Sequence, residues 1–537
     1  MTRVTRRALS TLTALVLVGT LFIGAPGPVR ATADHIYIGY AADTSSADCT
    51  DPDFTADGVD DSAQIALAVA ATNTGGTLHF CPGTYDIDAT INLSGTLITL
   101  QGASAVTTIL NGGDTTQILT SSDAITVSDL TFQDGYGANG GAIFTLGTAT
   151  AAASTFTGNS ATNYGGAIRS YATATVTGST FNNNTASDHG GAIIAGTVAV
   201  TASTFTGNSA ADYGGAIRAD NATVASSTFT GNSSVNGGAI AASATITNST
   251  FNNNSASVGG AIYASTATVT TSTFTNNSAD IQGGAINATT ATVTDSTFTN
   301  NDAESESGGA IYTYATTTVT GSTFTGNRAN DIGSYGGAIR AGSAIVSNSS
   351  FTSNSAWFLG GAISVSASAT ISDSTFAENS AGTSGAISAS NVNVSGSTFT
   401  RNFTTVDYGD GGAITTSTGT ITNSTFTNNN AAGNGGAIAV HESISLNHSR
   451  FIGNRAFEHG GALVVYLANA GNVQQISRNT FSRNRAATGG AITVGPCTVP
   501  RLSDVARLER ANRFSGNRAT EQRRTKNIER WLGFCGG

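Results

Sequence analysis

Charged residues, leucine and cysteine are scarce in this sequence, and each scarcity excludes a class of protein. Asp, Glu, Lys and Arg make up 10% of the 537 residues, and the repeated part of the chain contains no Lys. Leu is nearly absent from the same part, which excludes a leucine-rich repeat. Cys-x-x-Cys and the Gly-Gly-x-Gly-x-Asp pattern of calcium-binding repeats do not occur, so we expect no metal site, no redox centre and no cofactor.

Long apolar runs are also absent, apart from one near the N-terminus. A charged start precedes the apolar stretch from Leu12 to Ile23, and Ala31 to Ala33 forms a small-x-small cleavage site. The stretch is too short to span a bilayer comfortably, although an uncleaved N-terminal anchor is the competing interpretation. We therefore expect residues 1–33 to be a signal peptide. The mature chain should be extracellular and secreted, without a transmembrane segment.

The cysteines fall into two pairs at opposite ends of the chain, and four cysteines allow three disulfide connectivities. If some fifteen coils stack at ~4.8 Å each, the two ends lie roughly 70 Å apart, which excludes cross-pairing within one molecule. We therefore predict the disulfides Cys49–Cys81 and Cys497–Cys535. Four free thiols are the alternative.

Charge divides the chain into an acidic body and a basic end. From Asp34 to Ser449 there are 5 Arg and 28 Asp or Glu, whereas from Arg450 onwards there are 14 basic and 5 acidic residues. An acidic body argues against nucleic acid as a partner. The basic end is interpreted as a solvated cap, and contact with an anionic cell-wall polymer or lipid surface is the alternative.

A two-part motif, by contrast, fills most of the chain at a period of about 25 residues. Gly-Gly-Ala-Ile or a near copy comes first, and Phe-x-x-Asn follows; the latter occurs 15 times, from Phe156 to Asn517. Ser384-Gly385 is a degenerate copy of the Gly pair. The Gly pairs begin at Gly140, Gly165, Gly190, Gly214, Gly237, Gly259, Gly283, Gly308, Gly336, Gly360, Gly411, Gly435, Gly460 and Gly489.

Short alternating runs of Thr, Val, Ile, Ser and Ala, interrupted by Gly and Asn, are typical of strands and turns. Stacked coils should bury the residue two after each Ile and a second apolar column that includes Val176 and Val269. We expect the Phe residues to stack and the Asn residues to form a ladder at a left-handed bend. The sequence thus predicts an all-β, right-handed parallel β-helix solenoid of roughly 15 to 16 coils.

The predicted β-helix has a cap at each end. Asp60 to Ala70 is predicted to be a short N-terminal capping helix, with Asp60 and Asp61 explained by helix capping, and Ser503 to Arg513 is weakly helical. The expected divisions are 1–33, a signal peptide; 34–130, the cap and first coils; 131–495, the repeats; and 496–537, the C-terminal cap with the last Phe-x-x-Asn coil and a basic tail.

The alternating Gly-Gly-Ala-Ile and Phe-x-x-Asn motifs resemble the repeats of the chlamydial polymorphic outer membrane proteins over roughly residues 130 to 520. Separately, Asp60 to Tyr85 resembles the N-terminal cap of pectate-lyase-like β-helix proteins. The first resemblance implies surface exposure and adhesion, with the chain secreted or associated with the cell surface or outer membrane.

A candidate binding face lies just after the Ile of each repeat, where the first and third residues should face outward. Aromatic and Arg side chains stacked there are suited to grip sugar rings or a protein partner. The competing interpretation is that large residues merely decorate a strand. The candidate binding residues are Arg169, Tyr171, Arg218, Asp220, Tyr263, Tyr312, Tyr314 and Arg340.

Catalysis receives less support from the sequence. Glycoside hydrolysis needs two carboxylates at a defined separation, yet Asp188 and Glu458, which each precede a His and a Gly pair, should lie about eleven coils apart. We therefore expect an adhesin-like, non-catalytic protein that binds extracellular glycans or proteins. A polysaccharide lyase or glycoside hydrolase is the alternative. Ice binding through Thr-x-Thr pairs, such as Thr245 with Thr247, is a lesser one.

Overall fold

The computed structural model describes residues 33–40, 47–466, 475–494, 502–520 and 527–530. They form a parallel β-helix in which successive turns of the chain add strands to three parallel sheets. The third sheet holds 16 strands within these residues, one for each turn, which confirms the all-β solenoid and its predicted size. Each turn pairs with the turns before and after it, so the coils stabilise one another.

The first sheet receives the segment that follows each Gly pair. In its strand Ile217–Ala225, the side chains of Ile217, Ala219, Ala222 and Val224 are buried and the residues beside them are not. This alternation confirms the two inward columns, because both stay buried from coil to coil. The strands of the first sheet are Ala33–Tyr40, Phe54–Ala56, Thr72–Phe80, Ile91–Asn92, Thr99–Gly102, Leu119–Ser121, Ile125–Ser128, Ile143–Thr145, Ala149–Ala152, Ile168–Ser170, Thr173–Thr177, Ile193–Thr201, Ile217–Ala225, Ile240–Thr247, Ile262–Thr270, Ile286–Thr294, Ile311–Thr313, Thr316–Thr320, Ile339–Ala341, Ser343–Ser347, Ile363–Val365, Ser368–Ser372, Ile387–Ser395, Ile414–Thr422, Ile438–Asn447, Leu463–Val465, Gln475–Ser477, Ile492–Val494 and Ile528–Arg530.

The second sheet carries the Phe of every repeat, and the rings stack as predicted. Consecutive ring centroids from Phe132 to Phe514 lie between 4.6 Å and 5.2 Å apart, because parallel strands set this spacing. The strands of the second sheet are Gly83–Asp86, Thr108–Asn111, Thr131–Gln133, Thr155–Thr157, Thr180–Asn182, Thr204–Thr206, Thr228–Thr230, Thr250–Asn252, Thr273–Thr275, Thr297–Thr299, Thr323–Thr325, Ser350–Thr352, Thr375–Ala377, Thr398–Thr400, Thr425–Thr427, Arg450–Ile452, Thr480–Ser482 and Arg513–Ser515.

The third sheet follows the Asn of every repeat and closes the coil. Its strands are Tyr136–Asn139, Ser160–Tyr164, Thr185–Ala186, Ser209–Ala210, Ser233–Asn236, Ser255–Val258, Ser278–Gln282, Asp302–Ala303, Arg328–Ala329, Ser355–Ala356, Ser380–Ala381, Phe403–Thr404, Asn430–Ala431, Arg455–Ala456, Arg485–Ala486 and Arg518–Ala519.

A ladder of buried Asn side chains joins the second and third sheets, as predicted. The Nδ2 of Asn184 donates to Oδ1 of Asn208 at 2.9 Å and to the carbonyl oxygen of Phe156 at 3.0 Å. The same pair of bonds recurs as far as Asn484. The position of the left-handed bend was wrong, however. The residue before each ladder Asn adopts it, for example Asn183 with φ of 53°, because the ladder amide must point inward while its exposed neighbour makes the turn.

The N-terminal cap contains a short helix and a disulfide. The predicted capping helix is present as Ser62–Ala71, and the weakly helical C-terminal segment is Leu502–Ala511; a further helix spans Ala47–Thr50. The predicted disulfide between Cys49 and Cys81 is present, with Cα atoms 5.7 Å apart. Cys497 and Cys535 lie outside the described residues.

Helix capping does not explain Asp61, and that interpretation was wrong. Its side chain makes no capping hydrogen bond to the helix, although it is fully buried. It accepts hydrogen bonds from the backbone N–H groups of Asp57, Gly58 and Asp86 and from the hydroxyl of Tyr40. Burial and the Asp61 carboxylate raise the pKa of Tyr40 above its ordinary range. Asp61 therefore ties the loop before the helix to the first strand of the second sheet.

Candidate functional site

Each Gly pair turns the chain so sharply that the residue before the pair comes to lie near the residue after the Ile. Gly214 has φ of 67°, in the left-handed region that side chains rarely adopt. A Cβ on Gly215 would overlap backbone carbonyl oxygens of the next coil. As a result, Tyr213 before the pair and Arg218 after the Ile line the same clefts.

The structure places the eight candidate residues on one outer face of the first sheet. From Arg169 to Arg340, the residues that follow each Ile pair in register between coils. Tyr171, Asp220 and Tyr314 are exposed, and the others are half-buried. One group lines two adjoining clefts and consists of Arg169, Tyr171, Arg218, Asp220 and Tyr263. The remaining group follows on later coils and consists of Tyr312, Tyr314 and Arg340.

The two adjoining clefts form what we call the tyrosine groove. Their volumes are about 360 Å³ and 250 Å³, and they share the lining residues Tyr213, Arg218 and Asp220. The side chains that define the groove are Arg169, Tyr171, His189, Tyr213, Arg218, Asp220 and Tyr263.

Aromatic contacts connect the wall of the groove across coils. Ring centroids lie 5.4 Å apart between Tyr164 and His189, 5.1 Å between His189 and Tyr213, and 6.1 Å between Tyr213 and Tyr263. Sequence reasoning missed Tyr164 and Tyr213 as binding candidates. The signal was available in the sequence, because several Gly pairs are directly preceded by an aromatic residue. Tyr164, Tyr213 and Tyr335 each stand immediately before a Gly pair.

Two buried nitrogen atoms at the groove have no hydrogen-bond partner. The guanidinium carbon of Arg169 lies 4.3 Å from the ring centroid of Tyr171 and 5.7 Å from that of Tyr164, a cation–π arrangement. Its Nε is unpaired, and so is Nδ1 of His189. Because an unpaired buried polar atom costs free energy, these two nitrogens are unsatisfied hydrogen-bonding groups beside the groove.

The later group of candidates forms a smaller aromatic cluster. The rings of Tyr312 and Tyr314 are 5.1 Å apart, and the guanidinium of Arg340 lies 5.1 Å from the ring centroid of Tyr335. The Nη1 of Arg340 also donates to the hydroxyl of Ser364 at 3.1 Å. Burial raises the pKa of both Tyr312 and Tyr314, so these phenols remain neutral donors at physiological pH.

Comparison with known proteins identifies the repeat. The family model described as the Chlamydia polymorphic membrane protein repeat matches residues 153–171, 178–196, 202–220, 226–243, 248–265 and 423–440. The model described as a right-handed β-helix region matches residues 261–421. The chain carries chlamydial polymorphic membrane protein repeats on a right-handed β-helix. This confirms the resemblance and the predicted handedness, and it fits a surface-type repeat protein.

Beyond these family models, the comparisons add little about the repeat protein. No curated protein matches the sequence. Among solved structures, the catalytic unit of a thermostable GH87 α-1,3-glucanase from Streptomyces thermodiastaticus strain HF3-3 is 14% identical, over 87% of this chain and 67% of that one. Its TM-score of 0.18 is too low to support an argument about function.

In the later repeats, a polar network lies on the face of the β-helix that carries the tyrosine groove. Asp410 accepts hydrogen bonds from the hydroxyl of Tyr466 at 2.9 Å and from the backbone and side-chain nitrogens of Asn434 at 2.8 Å and 3.0 Å. His441 stacks on Tyr466 with ring centroids 5.4 Å apart. Burial, followed by the Asp410 charge, raises the pKa of Tyr466 above its ordinary range, so Tyr466 stays protonated and holds the carboxylate.

The acidic residues considered for catalysis lie on different repeats of the β-helix. Asp188 and Asp212 lie on successive coils, since the backbone N–H of Asp212 donates to the carbonyl of Asp188 at 2.8 Å. The sequence interpretation weighed Asp212 with Asp220 and did not pair it with Asp188, one repeat earlier. Glu458 lies in the later repeats, away from both. Among the described residues, no group of three His, Cys, Asp or Glu side chains is placed to hold a metal ion.

The Thr-x-Thr pairs stack in register on the outer surface of the first sheet. Thr245, Thr268, Thr292 and Thr318 form one column on consecutive coils, and a parallel column begins at Thr247. Ala199, Ala225, Ile345 and Asn393 interrupt the two columns elsewhere. Ice binding stays a prediction.

None of the helices in the described part of the chain has the length and apolar character needed to cross a membrane.

Proposed function

We propose that this protein is a secreted or surface-exposed, adhesin-like protein that binds an extracellular glycan without catalysing a reaction. The observation that carries the proposal is the tyrosine groove, where aromatic rings, guanidinium groups and two unpaired buried nitrogens meet. A sugar ring presents a flat apolar face to an aromatic ring and hydroxyl groups to polar atoms, so the groove supplies both kinds of contact. A protein partner that inserts an acidic side chain is the other occupant to be tested.

The surface location rests on two further observations. The repeats match those of chlamydial polymorphic membrane proteins, and the first 33 residues have the pattern of a signal peptide. Amino-terminal sequencing of the exported chain tests the signal peptide, and a mature chain that begins at Asp34 is expected. Cell fractionation tests whether the exported chain stays at the cell surface.

The groove is tested by a glycan array and by adhesion to cells, with the full chain and two double variants. Tyr213→Ala with Arg218→Ala removes the wall shared by both clefts, and affinity should fall about tenfold or more, since two central contacts are lost. The matched control is Thr268→Ala with Thr292→Ala on the neighbouring outer column, which should leave affinity unchanged. Equal affinity in all three chains, with thermal stability preserved, would overturn the proposal.

The alternative, a polysaccharide-active enzyme, is supported by one observation. Asp188 and Asp212 lie on successive coils, directly before His189 and Tyr213, which line the groove. Glycosidases place two carboxyl groups about 5–10 Å apart. Release of reducing ends from pectin, alginate or α-glucan by the purified chain, abolished by Asp188→Asn, would favour this function over the non-catalytic one.

A further inference from the structure

A second groove runs along the third sheet near the C-terminal end of the described coils. Three clefts of about 400, 420 and 600 Å³ adjoin there. The first two share Arg455 and Phe457, and the last two share Arg485, so the clefts adjoin one another. We call them the arginine groove, defined by Tyr408, Arg455, Phe457, Arg485 and Arg518.

Its three arginines stack on consecutive coils. Arg455 pairs in register with Arg485, and Arg485 with Arg518, so their backbones are about 4.8 Å apart. All three side chains are exposed, and within the described residues none of them forms a salt bridge. Like charges directly opposite one another on neighbouring strands are destabilising. The coil does not require arginine here, because earlier coils carry Ser209, Ser233 and Ser255 at this position.

Positive charge increases along the groove. The first cleft contains Asp407 beside Arg455, and the second contains Glu458 beside two arginines. Among the described residues, Arg485 and Arg518 are the charged ones that line the third cleft. An anionic group is therefore attracted most strongly to the third cleft, in a chain whose body is acidic.

Large aromatic side chains stand at the other end of the groove. Tyr408 is 73% exposed and Phe457 is 67% exposed, and both line the first cleft. Exposed aromatic rings beside guanidinium groups match a ligand that has both flat apolar faces and acidic groups. An inorganic phosphate or a lipid headgroup has no flat face to stack on these rings.

We propose that the arginine groove binds a linear acidic polysaccharide, which lies along the helix axis with its carboxylate or sulfate groups on the arginine ladder and sugar rings on Phe457 and Tyr408. The site is separate from the tyrosine groove, and its binding does not depend on the function proposed for that groove. Tyr213→Ala with Arg218→Ala should therefore leave binding at the arginine groove unchanged.

The test measures equilibrium binding of the full chain to polygalacturonate, to heparin, to neutral dextran and to phosphatidylglycerol vesicles. Arg485→Gln removes the central member of the ladder and should weaken binding to the acidic polysaccharides about tenfold or more. Arg450→Gln is the matched control, because Arg450 is also exposed near this end but belongs to the second sheet. This variant should change affinity less than about twofold.

A further variant separates stacking from charge. Phe457→Ala should weaken binding to the polysaccharides and leave the weak binding of inorganic phosphate unchanged. Equal losses for Arg485→Gln and Arg450→Gln would show a diffuse charge effect and overturn the proposal. Binding to the vesicles with no binding to either acidic polysaccharide would also overturn it, in favour of a lipid surface.

Discussion

The interior and the outer face of this β-helix follow different rules, although both are built from the same repeat. Inside, the Phe stack and the Asn ladder hold one residue type on coil after coil, and their spacing barely changes. Outside, the column after the Ile reads Arg169, Ile194, Arg218, Ala241 and Tyr263 on successive coils. The interior therefore sets the fold, and the outer column varies from coil to coil.

The reason for the difference is that an interior residue contacts its own copy on both sides. A change in one coil disturbs the hydrogen bonds and packing of two neighbours, so the stability of a solenoid depends on each interface between coils. Outward side chains such as Arg218 and Tyr263 are partly exposed to solvent, so a change there should cost less.

The largest effect is expected at the second glycine of a Gly pair. In Gly260→Ala the new Cβ would overlap the backbone carbonyl oxygens of Gly284 and Ser278 in the following turn, and this backbone cannot move aside. Urea unfolding should show a loss of more than ~3 kcal/mol. Gly231→Ala is the control, because the space around Gly231 is open. Only its left-handed φ disfavours a side chain, and the free energy of unfolding should fall by about 1–2 kcal/mol. Equal losses would contradict the account.

Removal of one rung of the Asn ladder should come next. The side chain of Asn277 takes part in four hydrogen bonds, with Phe251, with Asn301 and twice with Asn254. Asn277→Ala leaves buried partners unpaired and should cost about 3 kcal/mol. The adjacent Asn276 is exposed, so Asn276→Ala should cost about 1 kcal/mol through its left-handed backbone alone. A smaller loss for Asn277→Ala than for Asn276→Ala would exclude a structural ladder.

Two neighbouring residues of one strand sharpen the comparison further. Ile217→Ala removes a fully buried side chain and should cost about 3 kcal/mol, with binding at the tyrosine groove unchanged in the folded chain. Arg218→Ala should lower ligand affinity while it changes the free energy of unfolding by less than about 0.5 kcal/mol. Calorimetric unfolding and binding titrations on both variants provide the check. If Ile217→Ala lost affinity and Arg218→Ala kept it, the assignment of Ile217 to the interior and of Arg218 to binding would be wrong.

The smallest effect concerns pH. Burial raises the pKa of Asp302, despite the opposing attraction of Arg328 on the next coil, so the folded chain binds this proton more tightly than the unfolded chain. Protonation therefore favours the fold, and this contribution is lost as pH rises from below the ordinary pKa of Asp through the raised value. Asp302→Asn should be slightly more stable than the parent at pH 7, with the difference vanishing near pH 3. A difference that grows towards acid pH would contradict this.

The sequence predicts the repetitive parts of the fold because the same residue type recurs there at the same position of each coil. Phe156 and Asn159 recur at one spacing, so their stack and ladder follow from the period. A second ladder was missed, in which the backbone N–H of Ser154 donates to the hydroxyl of Ser179 at 3.1 Å. The Ser before each Thr-Phe was its signal, but Ser is also common in turns.

The groove was only partly predictable, because it depends on the turn at the Gly pair. Alternation places Arg218 on an outer face, yet nothing in the period shows that Tyr213, five residues earlier, comes beside it. The left-handed Gly214 between them turns the chain so that both residues line the same clefts. The buried role of Asp61 was missed for a similar reason, since its partners are Asp57, Asp86 and Tyr40 from separate segments.

The most direct test is to remove the tyrosine groove as a unit and leave the interior intact. In a chain with Tyr164, Arg169, Tyr213 and Arg218 all changed to Ala, circular dichroism and the thermal midpoint should stay close to those of the parent. Binding to the neutral glycans that the array identifies should then be lost, whereas acidic polysaccharides should still bind the arginine groove. A folded chain of this kind that keeps the parent's affinity for the neutral glycans would contradict the claim that the tyrosine groove binds them.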